Sequence, residues 1–159
     1  MPLELPKGWC SLKAPKNASA AKWDAVKDAP LNENLRAYSA AEAHALAKTL
    51  MRYQTEGDRD NWQPPVETVE GATGDCEDFA ILARRLLLNG GYDSSKNWLL
   101  IVKDLAVNRD HALLWIEGEG YLDVRAPRPL AAEVFTDYRP ILAFNDTETL
   151  TFGKKRAAA

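Results

Sequence analysis

The sequence predicts an α+β domain in which N-terminal helices pack on an antiparallel β-sheet. Two observations predict it. Up to Asn89 the apolar residues recur three and four apart, the period of a helix with a buried face; from Asn97 onward they fall into short runs rich in branched and aromatic side chains, separated by turn formers. Helices followed by closely spaced strands make an α+β order, because strands joined by short turns pair antiparallel.

A chain of 159 residues suits one domain that buries most of its apolar surface. Residues 1–34 read as an arm packed on the body, residues 35–150 as the body, and residues 151–159 as a flexible tail. Pro2, Pro6, Pro15 and Pro30 break regular structure in the arm, leaving a short helical piece from Ala20 to Asp28, with Trp9 and Trp23 as its anchors. Ser39 to Tyr53 is a helix: Ser39 with Glu42 three residues on is a capping-box pattern, and Ala43, Leu46, Ala47, Leu50 and Met51 repeat on one face. Residues 54–74, with Gly57, Pro64, Pro65, Gly71 and Gly74, are expected to be a long connection. Its Trp62 and Val66 would dock on the core, with Trp62 either packing there or shaping a substrate cleft.

A second helix is expected from Asp75 to Leu88. Phe79, Leu82, Ala83 and Leu86 share its inner face, Arg84 and Arg85 fall toward the other side, and Asn89, Gly90 and Gly91 end it. NWLLIVKD (97–104), HALLWIE (111–117) and GYLDVR (120–125) read as three strands. Residues 128–141 carry no clear period, and FNDTETLTF supplies one more strand at a sheet edge.

A net charge of -3 gives no broad basic surface, which argues against nucleic acid as a partner. No apolar run approaches the roughly 18 residues that cross a bilayer, so no membrane insertion is expected. Residues 1–17 lack the basic, apolar and small-residue sections of a secretory signal. The reading is therefore a cytoplasmic chain as written, or a periplasmic one if it is a trimmed mature form. Two cysteines, Cys10 and Cys76, are too few for a disulfide scaffold and are expected to be free thiols.

The chemistry centres on Cys76. It falls in the first turn of the second helix, where unpaired N–H groups and the positive end of the helix dipole favour a thiolate. Counting back from Phe79 by three turns its sulfur toward the sheet, where His111 lies. A thiol nucleophile needs a base that also serves as an acid, and a histidine does both when a carboxylate fixes its tautomer; Asp123 is the candidate. The pairing depends on strand parity. A two-residue turn at Gly118 and Glu119 would put His111 and Asp123 on opposite faces, whereas a three-residue loop, Glu117 to Glu119, sets Asp123 opposite Leu113 and on the face of His111.

Asp75, Glu77 and Asp78 surround the thiol with like charge, which opposes its ionisation. One account is structural: Asp75 caps the helix, and Glu77 and Asp78 suit its N-terminus. The other is a calcium ion, which takes six to eight oxygens and would draw some from these carboxylates and from the carbonyls of residues 72–74. Zinc is not expected, since the Cys and His residues lack paired ligand spacing. Cys10 has no partner pattern, and His44 reads as a surface or satisfied structural residue.

GDCEDFA (74–80), DHALLWIE (110–117) and GYLDV (120–124), with WQPPVETVEG (62–71) ahead of the cysteine, resemble the bacterial transglutaminase-like cysteine proteinases of the papain-like superfamily. That family includes periplasmic, calcium-dependent proteases that clip surface adhesins. The resemblance implies a papain-like, transglutaminase-like core with Cys76 as nucleophile, His111 as base and Asp123 as the group that orients it. It also implies calcium at Asp75 and Glu77. The chain departs from the adhesin-clipping members at LDVR, where those have an asparagine after the aspartate, so the resemblance speaks to chemistry more than to substrate. The expected function is a cysteine peptidase that cleaves a protein or peptide amide through a thioester acyl-enzyme. A transglutaminase or amidase would use the same triad, and an inactive relative would keep the pocket to bind a peptide or partner; three intact site residues argue against the last.

Overall fold

The computed structural model describes residues 9–14, 18–55 and 61–154. Helix α4, Cys76–Asn89, sets the layout, because its residues 78–84, Leu86 and Leu87 are all buried. A helix apolar around most of its circumference must be covered on several sides. One side meets the sheet; others meet α2, Ala40–Leu50, and α3, Pro65–Gly71. Ser39 caps α2 by accepting the Glu42 N–H, while the Glu42 carboxylate reaches back to the N–H of Tyr38 at 2.8 Å.

Arg84 was expected on the far side of α4 and is instead buried. Its Nε donates to the Asn97 carbonyl at 3.2 Å, and its terminal nitrogens donate to the carbonyls of Lys27 and Ser94 at 3.3 and 3.1 Å. The guanidinium lies 4.9 Å from the centre of the Trp23 ring. Trp23 belongs to α1, Ala18–Val26, which covers the side that helical period alone assigns to solvent. A planar guanidinium surrounded by carbonyls and an aromatic face is well placed to be buried.

The main sheet has six strands in the order β1-β8-β7-β4-β5-β6, every neighbour antiparallel. They are β1, Trp9–Lys13; β4, Asn97–Asp104; β5, Arg109–Ile116; β6, Gly120–Leu122; β7, Tyr138–Phe144; and β8, Thr149–Lys154. Alternation along β4 and β5 divides the side chains between two cores. Leu99, Ile101, Ala112, Leu114 and Ile116 join the helices, while Trp98, Leu100, Val102, Leu113 and Trp115 form a second cluster on the opposite face. A short 3-10 turn, Ala132–Thr136, brings Val134 into that second cluster.

Several expectations change at the periphery. FNDTETLTF is not a single edge strand: residue 144 ends β7, residues 145–148 turn the chain, and β8 lies inside the sheet, covered by β1. The edge strand comes from the N-terminal arm, whose proline-free interval between Pro6 and Pro15 leaves room for WCSLK to pair. Residues 151–154, expected in a tail, complete β8, whereas residues 155–159 lie outside the described residues. The connection 54–74 is not structureless. Pro65 opens α3 at a position where a missing N–H does no harm, and the pair β2, Arg52–Tyr53, with β3, Thr73–Gly74, brackets the segment. Trp62 is buried, stacked edge-on near Phe144 in the core, while Val66 is exposed on α3 and does not dock.

Candidate active site

The N-terminus of α4 is closed by a reciprocal cap. Asp75 accepts the Asp78 N–H at 3.1 Å, and Asp78 accepts the Asp75 N–H at 3.1 Å. Asp78 is fully buried and also takes the backbone N–H and side-chain amide of Gln63, so it ties the segment before α3 to the helix. Burial pushes its pKa up to about 8, against the backbone N–H groups of Gln63 and Asp75. For Asp78 the structural account of the acidic cluster is therefore sufficient.

Cys76 begins the helix and is buried. Its thiol donates to Glu77 Oε2 at 3.1 Å, and the Ala112 N–H on β5 points at the sulfur. Burial raises the thiol pKa, Glu77 raises it further by charge and hydrogen bond, and the Ala112 N–H works against both. Glu77 is itself pushed up to about 7, first by burial and then by the charge of Asp75. The thiol is thus hydrogen-bonded to a carboxylate that works against its ionisation.

His111 lies on β5 and Asp123 just beyond β6. In the β5–β6 hairpin Ile116 faces Gly120, Trp115 faces Tyr121 and Leu114 faces Leu122, so the loop is the three residues Glu117 to Glu119. Gly118, with φ of 83°, and Gly120, with φ of 113°, take the left-handed conformations this loop requires. That parity brings His111 Nε2 to 2.8 Å from Asp123 Oδ1, with both side chains buried. The Arg125 N–H donates to Oδ1 at 3.0 Å and the Tyr138 hydroxyl to Oδ2 at 2.7 Å. Burial pushes the Asp123 carboxyl up, yet His111, the Arg125 N–H and Tyr138 outweigh it and hold the group below the usual carboxylate range. His44, buried edge-on to Phe79, has its Nε2 3.1 Å from the Asp123 carbonyl and is a satisfied structural residue.

The sulfur and the imidazole approach from different faces of β5. His111 stands opposite Val102, on the face of Leu113, while its neighbour Ala112 faces α4 and meets Cys76. Near the end of the strand both side chains line one cleft of about 730 Å³, with Tyr53, Glu77, Arg109 and Arg125 around them. Trp62 does not line it. Cys10 is a free thiol on β1 that donates to the Gly153 carbonyl at 3.4 Å, remote from this cleft in the fold.

Sequence reasoning missed Tyr138 and the side chain of Arg125. Tyr138 falls in the stretch without a period and arrives only through the β4–β7 pairing, which sets it opposite Asp104. No local signal marks such a residue.

The family model described as bacterial transglutaminase-like cysteine proteinase matches residues 12–130. The chain belongs to this family. It is a cysteine peptidase with a transglutaminase-like fold. Three solved structures of Legionella pneumophila LapG resemble this proteinase. The EGTA-treated form has a TM-score of 0.65 at 25% identity, covering 89% of this chain and 77% of the other. The calcium-bound form gives 0.65 and 25%, with coverage of 89% and 80%. A third LapG structure gives 0.63 and 24%, with coverage of 84% and 76%. No curated protein matches the chain in sequence.

Calcium is therefore a ligand of a structural relative, and the donors here are hard oxygens of the kind it takes. The charge of Asp75 helps to push the Glu77 carboxyl up, a tension that a cation relieves. They make only part of a shell: among the described residues no three His, Cys, Asp or Glu side chains converge on one point.

Proposed function

We propose that this proteinase cleaves a protein or peptide amide with Cys76 as nucleophile, His111 as general base and acid, and Asp123 as the group that fixes the imidazole. An ionised carboxylate only accepts hydrogen bonds, so in this reading His111 Nε2 donates across the 2.8 Å contact to Asp123 and Nδ1 is the nitrogen that takes the thiol proton. The thiolate, supported by the helix N-terminus and the Ala112 N–H, adds to the amide carbonyl carbon. The C–N bond then breaks as imidazolium Nδ1–H passes its proton to the leaving amine, and the acyl group stays on sulfur as a thioester. Water, deprotonated by His111, cleaves the thioester and restores the thiol.

Asp75 and Glu77 would hold a calcium ion in this reading. Bound there, it supplies positive charge that competes with the thiol for Glu77 and favours the thiolate. No helix among the described residues is long and apolar enough to cross a membrane.

The observation that carries the reading is the buried His111–Asp123 pair opening into the cleft that Cys76 lines. Iodoacetamide labelling followed by mass spectrometry tests it, with Cys10 as internal reference. Cys76 in the wild type should label in the neutral range, with a rate that falls in His111→Ala by about tenfold or more. A rate indifferent to His111 would remove the proposal.

A further inference from the structure

Asp123 is also held from the side away from His111. The Tyr138 hydroxyl, which donates to Oδ2 at 2.7 Å, accepts a hydrogen bond from Arg125 Nη2 at 2.8 Å. The same nitrogen donates to Asp104 Oδ2 at 3.0 Å, and the Tyr138 ring lies 5.4 Å from the His111 ring. His111, Asp123, Tyr138, Arg125 and Asp104 thus form one unbroken run of polar contacts, from β5 through the segment after β6 to β7 and the end of β4.

The direction of each bond follows from donor inventory. Arginine only donates, so the phenol must accept from Arg125, and its single hydrogen is left for Asp123. Burial and the nearby Asp123 charge hold the Tyr138 phenol well above its ordinary pKa, so that hydrogen stays in place. A carboxylate pinned at both oxygens cannot swing, and pinned as an anion it can only accept from His111.

We propose that Tyr138 is a positioning residue: its hydroxyl, oriented by Arg125, fixes Asp123 so that His111 is kept as the Nε2–H tautomer with Nδ1 available as base. The inference rests on the Cys76, His111 and Asp123 reading and deepens it. On the cleft side the same cavity holds Asp75, Glu77, Arg109 and Asp110, the last engaged by Lys103 at 2.9 Å, and a change at Tyr138 leaves all four in place.

Tyr138→Phe deletes only the hydroxyl. The chain has two histidines, so ¹⁵N ring spectra of the labelled full-length protein resolve into His44 and His111, assigned with His111→Ala. The wild type should show His111 as the Nε2–H form. Tyr138→Phe should show a mixture of tautomers and a fall of about fivefold to tenfold in iodoacetamide labelling of Cys76, the loss of one charge-assisted hydrogen bond, with Cys10 labelling unchanged. Arg125→Gln, at the exposed rim, should move the tautomer ratio the same way by less, and carries the test if Tyr138→Phe does not fold. A wild-type tautomer ratio and Cys76 rate in the folded variants, with labelling still dependent on His111, would overturn the role of Tyr138 alone. Labelling indifferent to His111→Ala would overturn the triad reading and this inference together.

Discussion

Asp123→Asn separates the charge of that side chain from its shape. Asp123 takes three hydrogen bonds on two oxygens, from His111 Nε2 at 2.8 Å, the Arg125 N–H at 3.0 Å and the Tyr138 hydroxyl at 2.7 Å. An amide keeps one acceptor oxygen and replaces the other with an N–H₂ donor. With its oxygen toward His111 and Arg125, the amide nitrogen confronts a phenol that was itself donating. Turned the other way, the nitrogen confronts His111 and drives the ring hydrogen to Nδ1, the wrong tautomer for a base. Bonds to charged groups contribute about 1.5–3 kcal/mol and neutral ones about 1 kcal/mol, so weakening two by about 0.5–2 kcal/mol each and losing one sums to roughly 2.5–7 kcal/mol at neutral pH.

The pH dependence has a definite sign. The folded pKa of Asp123 lies below its ordinary value because the three donors outweigh burial. A depressed carboxyl pKa contributes stability that is present above the unfolded value of about 3.9 and is lost as pH falls through the folded one. Wild type and Asp123→Asn should therefore differ most between about pH 6 and 8, with the gap closing as pH falls below about 3.9 and through the depressed folded value. Urea unfolding followed by tryptophan fluorescence at a series of pH values measures the gap. Equal stability near neutrality, or a gap that does not close in acid, would refute the idea that the three donors hold a charge.

Two further outcomes follow from the geometry. Glu77→Gln, assayed with chelator present, removes the carboxylate that accepts the Cys76 proton at 3.1 Å, and iodoacetamide labelling of Cys76 near pH 8 should speed up by about threefold to tenfold; a slower rate would show that Glu77 assists ionisation. Gly120→Ala would place a methyl carbon 2.4 Å from the Leu130 carbonyl oxygen at a φ of 113°. It should destabilise the fold by about 2–4 kcal/mol in urea unfolding, and an unchanged midpoint would show that the β6 edge yields freely.

What the sequence disclosed was whatever short-range rules govern. Ser39 and Glu42 announce the start of α2, Asp75 and Asp78 that of α4, and the alternation of β4 and β5 sorts their side chains between two cores. The hairpin parity that joins His111 to Asp123 could be counted along the chain, because loop length alone decides it. Residues 9–13 gave no such sign. Their β partners are residues 150–154, and nothing in WCSLK announces which distant strand it will pair with. Arg84 misled because helical period measures only one helix, whereas Trp23 of α1 supplies a second wall and Lys27, Ser94 and Asn97 the carbonyls that meet the guanidinium. Tyr138 was invisible for the same reason as β1: a long-range pairing, not a local pattern, brings it to Asp123.

The sheet order has a consequence for how the enzyme comes into being. Cys76, His111 and Asp123 lie within residues 76–123, where β5 packs on α4 with only a 3-10 turn and β4 between them and pairs with β6, which follows it directly. β7 follows later in the chain, and β1, which leaves the ribosome before the other described strands, has to wait for β8. Contacts between near neighbours form early and distant pairings late. During synthesis Cys76, His111 and Asp123 therefore emerge ahead of Tyr138, and the growing chain carries the Cys76 thiol before the last strand that closes around Asp123 has been translated.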